Sequence, residues 1–377
     1  MNLLVLAEDF YPNTSGGAHV RWEFCRQAAQ RGHDVTVVTP RRDETPPTEE
    51  VDGVKIHRPF GAQPDSLPAY VPLAFLFRLL FSIRLLIFLI REHDLSTVTG
   101  VHSASNTLHW VGRVVSTYAG VTHVSFVGYT PSLASGSTNP VKILLERLTF
   151  RFGFGGPTFC RSPETKVLIE ELSDTNVELV HGILDQSAIY ETFEACSPVS
   201  VREEFGVTSD DTLLVFVGRL TPTKNPGGAI DIMSTLPKEY QLVVVGDGEQ
   251  RRALERIVHG SSLEEQVQFT GVLNHQEALS IIASADGLLV TSHVESYSAV
   301  TLEALALGTP VFGTSVGVLQ YMDHERLYTG EMDDIPGIIK NSNFTGEFSI
   351  DKEIVEQYGM STYTETILNG FQQSDPA

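Results

Sequence analysis

Basic residues and cysteines are scarce in this 377-residue sequence. Lysine and arginine total 26 against 47 aspartates and glutamates, which gives a formal net charge of −21. Nucleic-acid binding needs a basic footprint for the phosphates, so this balance argues against a nucleic-acid partner. The three cysteines, Cys25, Cys160 and Cys196, are odd in number and far apart. They indicate neither a disulfide framework nor a zinc site, and a reducing, cytoplasmic compartment fits best.

The chain is long enough for two domains of ordinary size, and 42% of its residues are apolar. Its acidity leaves two explanations open. One is an ordinary acidic cytosolic protein, and the other is a protein of a high-salt cytoplasm, where screening weakens self-repulsion. The first residues, MNLLVLAEDFYP, lack a basic region, and their apolar run breaks at Glu8 and Asp9. They predict a first β-strand rather than a signal peptide.

One long apolar segment, residues 69–90 (AYVPLAFLFRLLFSIRLLIFLI), predicts a helix. It is long enough to cross a bilayer, but Arg78 and Arg84 lie inside it. Each would cost about 2.5–3.5 kcal/mol near the bilayer centre, so we disfavour a spanning helix. Two interpretations stay open. The helix is largely buried against a sheet, or it rests at the inner face of the cell membrane with its arginines near lipid phosphates.

The first half begins with the order strand, glycine turn, helix, strand. Residues 2–7 and 34–39 predict buried strands, and Gly16-Gly17 stands directly before a helical pattern that runs to Gly32. In such a βαβ unit the turn lies at the ligand edge of a parallel sheet, where the two glycines would let backbone amides approach a ligand. The alternative is that they only shape the turn.

Three further strands are expected in the first half, at 96–101, 122–127 and 176–180. The first would deliver His102 to the turn that follows it. The second is followed by a loop that contains Tyr129 and the small-residue run 132–140 (SLASGSTNP). That composition is typical of a mobile segment, so we interpret the loop as an acceptor-binding lid.

Short apolar strands and helices alternate throughout the second half. Strands are expected at 212–217, 241–245, 267–270, 288–291 and 311–313, each with a helix before the next. This order predicts a doubly wound α/β domain.

The boundary between the two halves is expected where periodicity is lost, at 190–207, a stretch that contains Pro198. We therefore predict an N-terminal domain over residues 1–188, completed by a C-terminal helix at about 358–377. A second domain is predicted over residues 189–357. Residues 41–50 (RRDETPPTEE) are expected to form an exposed loop.

The stretch Ser292–Pro310 (SHVESYSAVTLEALALGTP) follows a predicted strand and opens a predicted helix. Ser298 or Ser296 can cap that helix by accepting an amide hydrogen bond, and Gly308 with Pro310 ends it. The first-turn amides carry partial positive charge and point beyond the strand, which suits a diphosphate. Glu295 and Glu303 flank the helix start.

Two other strand ends in the second half carry matching groups. Arg219 and Lys224 follow the strand 212–217 and can neutralise a diphosphate, Arg219 as a bidentate fork and Lys224 as a movable point charge. Gly246 and Gly248 follow the next strand. Because they lack a Cβ, they would let the backbone of that loop approach a ligand closely. Ligands bind at such strand ends, so these groups are expected to converge.

These residues carry a resemblance to a known family. The segments resemble, in order, the nucleotide-sugar domain of retaining GT-B glycosyltransferases of the family-four type, also called glycosyl transferases group 1, whose signature is Glu-x7-Glu. They are VFVGRLTPTKNP, VVVGDGEQRRALE, VQFTGVLNHQEALSIIASADGLLVTS and ESYSAVTLEALALGTPV. Weaker matches in the first half are LAEDFYPNTSGGA and VELVHGILD. The resemblance implies two Rossmann-like doubly wound domains that face each other across a cleft, with acceptor bound by the first and nucleotide sugar by the second.

The family's functional residues carry over to matching positions. The resemblance implies that Glu303 binds the ribose hydroxyls of the donor and that Glu295 contacts the transferred sugar. Arg219 and Lys224 would hold the diphosphate and stabilise it as it departs. The remaining donor-binding positions are Gly16, Gly17, Gly218, Gly246, Gly248, Ser298 and Val300. Such enzymes need no metal and no cofactor, since the cations and the helix terminus stabilise the charge.

The sequence departs from the family's pattern at two positions. The family often has a histidine where Val127 stands before Gly128-Tyr129, and often a glutamate where Gln320 stands. Both departures concern sugar binding. His102, from the neighbouring strand end, is the candidate for supplying the missing imidazole.

The expected activity is transfer of a sugar from a nucleoside diphosphate sugar to a hydroxyl of a glycan, a lipid-linked glycan or a lipid. Residues 69–90 would add a peripheral membrane contact. Two alternatives stay open. One is a nucleotide-sugar epimerase of the same fold, and the other is a non-catalytic protein that binds nucleotide sugar or a partner protein.

Overall fold

The computed structural model describes residues 1–13, 16–41, 45–60, 71–128, 139–295, 297–342 and 348–372, with side chains described for all of these except 71–79 and 106. These residues form two compact units. Unit 1 comprises residues 1–182 together with the chain from 360 onward, and unit 2 comprises residues 183–359. Tyr129, the small-residue run after it up to Thr138, and Ser296 lie outside the described residues.

Unit 1 is built on an eight-stranded sheet with the order β3-β4-β2-β1-β5-β6-β7-β8. All neighbouring strands are parallel except the edge pair β3 and β4. The strands are β1 (Asn2–Leu6), β2 (Asp34–Val38), β3 (Thr48–Val51), β4 (Val54–His57), β5 (Gly100–Ser103), β6 (Thr122–Val127), β7 (Thr158–Cys160) and β8 (Val177–Leu179). The helices are α1 (Gly16–Gln30), α2 (Val71–Arg91), α3 (Asn106–Ala119), α4 (Pro140–Phe152) and α5 (Pro163–Leu172).

Unit 2 is built on a six-stranded, wholly parallel sheet with the order β11-β10-β9-β12-β13-β14. The strands are β9 (Thr212–Val217), β10 (Tyr240–Val245), β11 (Val267–Gly271), β12 (Gly287–Val290), β13 (Val311–Thr314) and β14 (Leu327–Gly330). The helices are α6 (Gln186–Ala195), α7 (Pro198–Glu204), α8 (Pro226–Met233), α9 (Arg251–His259), α10 (His275–Ser284), α11 (Ala299–Ala306), α12 (Ile335–Asn341) and α13 (Lys352–Tyr358). The last helix of the chain, α14 (Met360–Gly370), belongs to unit 1.

Each sheet is covered by helices on both faces. In unit 1, α2 and α3 pack their apolar sides on one face, against strand residues such as Leu4 and Val101. On the other face Phe24 of α1 meets Tyr363 of α14 edge to face, with ring centroids 6.1 Å apart. In unit 2 two separate apolar clusters lie on opposite sides of β9, one around Leu213 and the other around Leu214. Both units are therefore Rossmann-like α/β layers, as the alternation of strands and helices predicts.

Residues 71–90 of the long apolar segment lie in α2, and only some of the side chains described from residue 80 onward are buried. Phe81, Leu85 and Leu89 are at most 7% exposed, whereas Leu80 and Ile87 on the other side of the helix are 48% exposed. The helix therefore packs on the sheet with one stripe and leaves a second apolar stripe uncovered. In the described part of the chain, no helix combines the length and apolarity needed to cross a membrane.

Two local expectations are wrong. The strand expected at 96–101 starts too early, because Asp94 caps a short 3₁₀ helix at Leu95–Thr97 and β5 begins only at Gly100. Residues 48–50 of the expected loop form part of edge strand β3.

The aperiodic stretch 190–207 contains the end of α6 and all of α7. Pro198 stands in the first turn of α7, where the missing N–H costs nothing.

Candidate functional site

In unit 2 the carboxyl ends of β9, β10 and β12 meet at one edge of the sheet, because β9 pairs in parallel with the other two. The loops after β9 and β10 are joined by backbone hydrogen bonds. The Gly218 N–H donates to the Val245 carbonyl at 3.0 Å, and the Leu220 N–H donates to the Asp247 carbonyl at 2.9 Å. The convergence expected of these strand ends is therefore present.

Gly246 and Gly248 are required by the packing of these loops. Gly246 has φ +132°, and a Cβ there would lie 2.0 Å from the Gly218 carbonyl oxygen. A Cβ on Gly248 would lie 2.4 Å from the Leu220 carbonyl oxygen. A Cβ on Gly218 would lie 3.8 Å from the nearest described atom, which belongs to the Phe216 ring. The first two glycines let the backbones touch, and Gly218 leaves open space beside them.

The loop after β9 is tied to the loop after β12 by a short ion pair. Lys224 Nζ lies 2.5 Å from Glu295 Oε1, and the Ser292 hydroxyl donates to the same oxygen at 2.7 Å. The Glu295 side chain is only 8% exposed, and that of Lys224 is 27% exposed. Two predicted site residues from separate strand ends are thus brought into contact.

The backbone supports this junction. The Thr291 hydroxyl donates to the Asn225 carbonyl at 2.7 Å, and the His293 N–H donates to the Thr223 carbonyl at 2.9 Å. Arg219, at the start of the β9 loop, is exposed, and among the described residues it has no ion-pair partner. A guanidinium in this position is free to meet an anion.

Glu303 lies one turn into α11 and pairs with a residue that the sequence did not single out. His275 Nε2 lies 2.9 Å from Glu303 Oε1, and the Glu303 side chain is 15% exposed. The hydrogen bond with Glu303 raises the pKa of His275, against the opposing effect of burial. His275 opens α10, whose start is fixed by a capping box between Asn274 and Glu277.

The start of α11 differs from expectation at Ser298. This residue has φ +71° and is buried, and its hydroxyl pairs with the Thr301 hydroxyl at 2.8 Å instead of accepting a backbone amide. The capping role predicted for its side chain is therefore wrong, since the left-handed backbone turns the hydroxyl toward Thr301. Val300 is half-buried in the first turn. The first-turn N–H groups have no intrahelical acceptor, as at any helix start.

The turn after β13 abuts Glu295. Gly317 has φ +56°, and a Cβ there would lie 2.8 Å from Glu295 Cβ. Gln320, at the position where the resembled family pattern often has a glutamate, ends the 3₁₀ turn Gly317–Gln320 and is exposed. The loop that carries this departure thus lies beside one of the two predicted acids.

In unit 1, Gly16 and Gly17 stand at the start of α1. A Cβ on Gly16 would meet nothing within 4 Å, and one on Gly17 would meet only the tip of Arg21, at 3.3 Å. Neither glycine is therefore imposed by contacts with the rest of the described chain. Arg21, which donates to the Asp9 carbonyl at 2.8 Å, is a cation beside this turn that sequence reasoning missed.

His102 does not stand in a turn. It lies within β5, is 1% exposed, shares a hydrogen bond between Nδ1 and the Val124 carbonyl at 3.1 Å, and packs against the Phe24 ring. Burial lowers the pKa of His102 to about 4. The expectation that it follows a strand end fails because β5 extends two residues beyond Val101.

Two further buried histidines, His109 and His123, share the hydroxyl of Ser103, the residue after His102. The Ser103 hydroxyl bonds His109 Nδ1 at 2.8 Å and His123 Nε2 at 2.7 Å. Burial lowers the pKa of His109 to about 3 and that of His123 well below its usual range. Within the described residues, no group of three or more His, Cys, Asp or Glu side chains is arranged to hold a metal ion. These histidines are neutral core residues.

Sequence reasoning missed His275, Ser292 and Arg21. Ser292 lies three positions before Glu295, a spacing at which side chains in a turn can meet, so this contact could have been predicted from the local sequence. His275 lies 28 positions before Glu303. That pairing depends on the packing of α10 beside α11, and nothing local indicates it.

Comparisons with known proteins agree with this architecture. The family model described as "Glycosyl transferases group 1" matches residues 200–324, and "Glycosyl transferase 4-like domain" matches residues 15–153. An uncharacterized glycosyltransferase of Methanocaldococcus jannaschii is 24% identical over 335 residues, which cover 86% of this chain and 83% of that protein. A D-inositol 3-phosphate glycosyltransferase of Xylanimonas cellulosilytica is 31% identical over 150 residues, 39% of this chain but only 34% of that protein.

Among solved structures, Anabaena HepE in complex with UDP-glucose superposes with a TM-score of 0.67 at 17% identity, over 99% of this chain and 100% of that one. A likeness at this identity shows the fold. The two Rossmann-like units and these matches define a nucleotide-sugar-dependent glycosyltransferase of the GT-B class. The chain belongs to the glycosyl transferases group 1 family.

Proposed function

We propose that this glycosyltransferase retains the configuration of the sugar it transfers, and that it moves a hexosyl group to a hydroxyl of a glycan, a lipid-linked glycan or a lipid. Unit 2 binds the nucleoside diphosphate sugar, and unit 1 binds the acceptor. The observation that carries the proposal is the junction of Lys224 with Glu295 beside exposed Arg219, at an edge where helix α11 also begins.

The charges of this junction suit a departing diphosphate. Arg219 supplies a fork that matches two phosphate oxygens, and the first-turn amides of α11 add a partial positive charge. Lys224 is held by Glu295 until a diphosphate competes for its ammonium group. When the Lys224 ammonium group moves from Glu295 to the diphosphate, the Glu295 carboxylate becomes available to accept hydrogen bonds from the hydroxyls of the sugar. Glu303 accepts the ribose hydroxyls of the donor.

In the proposed reaction the bond from the anomeric carbon to the diphosphate oxygen breaks, and the acceptor oxygen bonds to the same face of the sugar. The proton of the acceptor hydroxyl passes to the departing diphosphate oxygen. Glu295 is assigned no covalent step, because in the proposed reaction its carboxylate accepts from hydroxyls of the sugar and from the Ser292 hydroxyl. His102 is assigned no step, since it is buried within β5.

The proposal is tested first by donor binding. UDP-glucose and other nucleoside diphosphate sugars are screened by thermal unfolding, because a ligand that binds only the native state adds about 2.7 kcal/mol of stability at a concentration 100 times its Kd. UDP-glucose is the first choice, since Anabaena HepE was solved with it. Wild-type protein is expected to respond to one donor or more. An unchanged melting temperature with every donor contradicts the proposal.

Two variants then test the assigned residues. Glu303→Ala is expected to lose the donor-induced shift, whereas Glu265→Ala, an exposed acid of the same unit, keeps it. Lys224→Ala is expected to abolish transfer, whereas the exposed Lys238→Ala does not. Wild-type turnover in Glu303→Ala or Lys224→Ala contradicts the site assignment.

The stereochemistry and the acceptor are read from the products. Retention predicts that the new linkage has the anomeric configuration of the donor, which proton NMR of the product measures. Turnover of donor to an epimeric sugar without any acceptor would instead identify an epimerase.

The glycine turn of unit 1 has its own test. Gly16→Ala is expected to leave stability unchanged, because none of the described residues packs within 4 Å of the added methyl group. If Gly16 lies against a substrate, the same change lowers kcat/KM at least tenfold. Full activity of this variant removes Gly16 from the site.

A further inference from the structure

The helices α2, α3 and α4 leave a run of large apolar side chains uncovered on unit 1. On α2 the uncovered residues are Leu80, Ile83, Ile87 and Ile90, which are 37–48% exposed. Their spacing of three and four residues places them on one side of the helix. The opposite side, which includes Leu85, is fully buried against the sheet. This helix is apolar on both sides although it needs only one for the core.

The same pattern recurs on α3. Trp110, Val114 and Tyr118 follow each other at intervals of four residues and are 39%, 42% and 66% exposed. Val111 and Val115, one position further along, are buried beneath them. A surface helix with an ordinary role would carry polar residues at the outer positions.

Helix α4 also has exposed apolar residues on its outer side and a buried apolar residue on its inner side. Val141, Leu144, Leu148 and Phe152 are 40–57% exposed, while Phe150 on the inner side is fully buried. We call the uncovered side chains of α2, α3 and α4 the outer face. Isolated exposed apolar residues are normal on proteins, but large contiguous apolar patches mark interaction sites.

The outer face is continuous. Helix α2 packs against α3, and α3 packs against α4. The Trp110 indole N–H donates to the Thr149 hydroxyl at 3.0 Å, and Arg113 donates to the Phe152 carbonyl, so α3 and α4 are also joined by polar contacts. Between them lies a shallow cavity of about 640 Å³, lined by Trp110, Arg113, Val114, Thr117, Tyr118 and Phe152.

Exposed apolar residues are concentrated here. Among the described residues 21 large apolar side chains are exposed, and 11 of them lie on these three helices of 21, 14 and 13 residues. Such a concentration of exposed apolar side chains marks an interaction surface.

The excess of basic residues on these three helices indicates what kind of partner covers the outer face. The three helices contain seven bases and a single acid, Glu146, which is buried. The rest of the chain has 19 bases against 46 acids. Arg84, Arg113 and Arg147 are exposed among the apolar side chains. A basic island on a strongly acidic protein complements an anionic surface.

A second copy of this chain fits the face poorly. Pairing the outer faces of two copies would bring the bases of one against the bases of the other, and like charges across an interface are strongly unfavourable. A bilayer with anionic headgroups satisfies both features at once, because apolar side chains enter the acyl boundary while arginines and lysines meet phosphates. The aromatic Trp110 and Tyr118 suit the interface between the two layers.

We propose that the outer face of α2, α3 and α4 docks unit 1 on the surface of an anionic lipid bilayer. The docking is peripheral, by side chains alone. It does not depend on the catalytic assignment of unit 2, because the residues involved lie on a different unit and bind without donor or acceptor.

The test is co-sedimentation of the full chain with vesicles of phosphatidylcholine alone or with 40% phosphatidylglycerol, at low and at 1 M salt. Each lysine or arginine near an anionic surface strengthens binding about fivefold. The double variant Lys142→Gln, Arg147→Gln is thus expected to bind anionic vesicles about 25-fold more weakly at low salt. At 1 M salt the Debye length is about 3 Å, and the difference between this variant and wild type should vanish.

A second variant tests the apolar part. Leu144→Gln, Leu148→Gln is expected to weaken binding at least tenfold at both salt concentrations. The matched control is Arg256→Gln, Ile257→Gln on α9 of unit 2, which removes an exposed base and an exposed apolar residue elsewhere. It should bind as wild type does. All positions are exposed, and circular dichroism and thermal unfolding check that each variant is folded.

Failure of the wild-type protein to bind anionic vesicles overturns the proposal. It is equally overturned if the α4 variants bind as tightly as the control. A concentration-dependent dimer that Leu144→Gln, Leu148→Gln dissociates, without vesicle binding by wild type, would assign the face to a second copy.

Discussion

Nε2 of His275 lies 2.9 Å from Oε1 of Glu303, so the acid assigned to the donor ribose is held by an imidazole from a neighbouring helix. Because this hydrogen bond raises the pKa of His275, the pair is charged at lower pH and becomes neutral at His275 as pH rises through that pKa. Its stabilisation is therefore complete below about pH 6.5 and is lost above the raised pKa.

The first prediction concerns donor affinity. A carboxylate released from an imidazolium accepts hydroxyl hydrogen bonds more strongly, so the wild-type Kd for nucleoside diphosphate sugar should fall as pH rises from 6 to 8.5. The His275 side chain is 46% exposed, so solvent screening limits the change to about fivefold. Isothermal calorimetry measures it. His275→Gln should give a flat profile, and an identical profile in both proteins refutes the link.

The second prediction concerns the Lys224–Glu295 pair. Lys224→Ala leaves the nearly buried Glu295 carboxylate without its cation, and about 1–2 kcal/mol of stability should be lost. Lys224→Ala combined with Glu295→Gln should recover part of this loss, because no uncompensated charge remains. Urea unfolding of the two single variants and the double variant gives the coupling energy. Strict additivity would mean that the two side chains do not interact.

The third prediction concerns acid sensitivity. His102, His109 and His123 are neutral in the native protein, because burial lowers the pKa of His102 to about 4, that of His109 to about 3 and that of His123 well below its usual range. The unfolded chain protonates them near pH 6.5, so stability is full above that pH and falls below it. Three such groups give a slope of about 4 kcal/mol per pH unit between roughly pH 6 and 4.

Urea unfolding at several pH values measures that slope. His109→Asn should reduce it by about one third, while His259→Asn, at an 83% exposed position, should not change it. A pH-independent stability between 6 and 4 would show that the buried histidines are protonated in the native state.

The fourth prediction concerns the loop after β10. Gly246→Ala adds a methyl group that would lie 2.0 Å from the Gly218 carbonyl oxygen, at φ +132°, and should cost about 3 kcal/mol or more. Gly337→Ala, inside α12 with nothing within 4 Å, should instead stabilise by roughly 0.5–1 kcal/mol. Thermal unfolding compares them. Equal stability of the two variants would contradict the close approach of these loops.

Many elements of the fold could be predicted locally. The strands of unit 2 are short apolar runs between turns, and their predicted bounds agree with β9 to β13 within one or two residues. The prediction of strand bounds was wrong where the same local sequence is compatible with a strand and with a turn. The β-branched valines and threonines of residues 96–101 favour a strand, but the Asp94 side chain accepts from the Ser96 amide and a 3₁₀ turn replaces the start of that strand.

For the candidate site, the sequence predicted which charged residues take part but not which of them pair with each other. Arg219, Lys224, Glu295 and Glu303 stand out because charged residues follow apolar strands at a sheet edge. Which cation meets which acid depends on distances between loops far apart in sequence. Lys224 and Glu295 are 71 positions apart, and only the order β10-β9-β12 brings them together.

The sequence by itself determined two α/β layers and the charged strand ends, because hydrophobic periodicity and glycine or proline positions act over a few residues. Tertiary structure alone decided that Lys224 holds Glu295, that His275 holds Glu303 and that His102 is buried. It also decided which stripe of α2 reaches the core. An apolar residue can satisfy a core or an interface equally well, and only the packing of neighbouring elements selects between them.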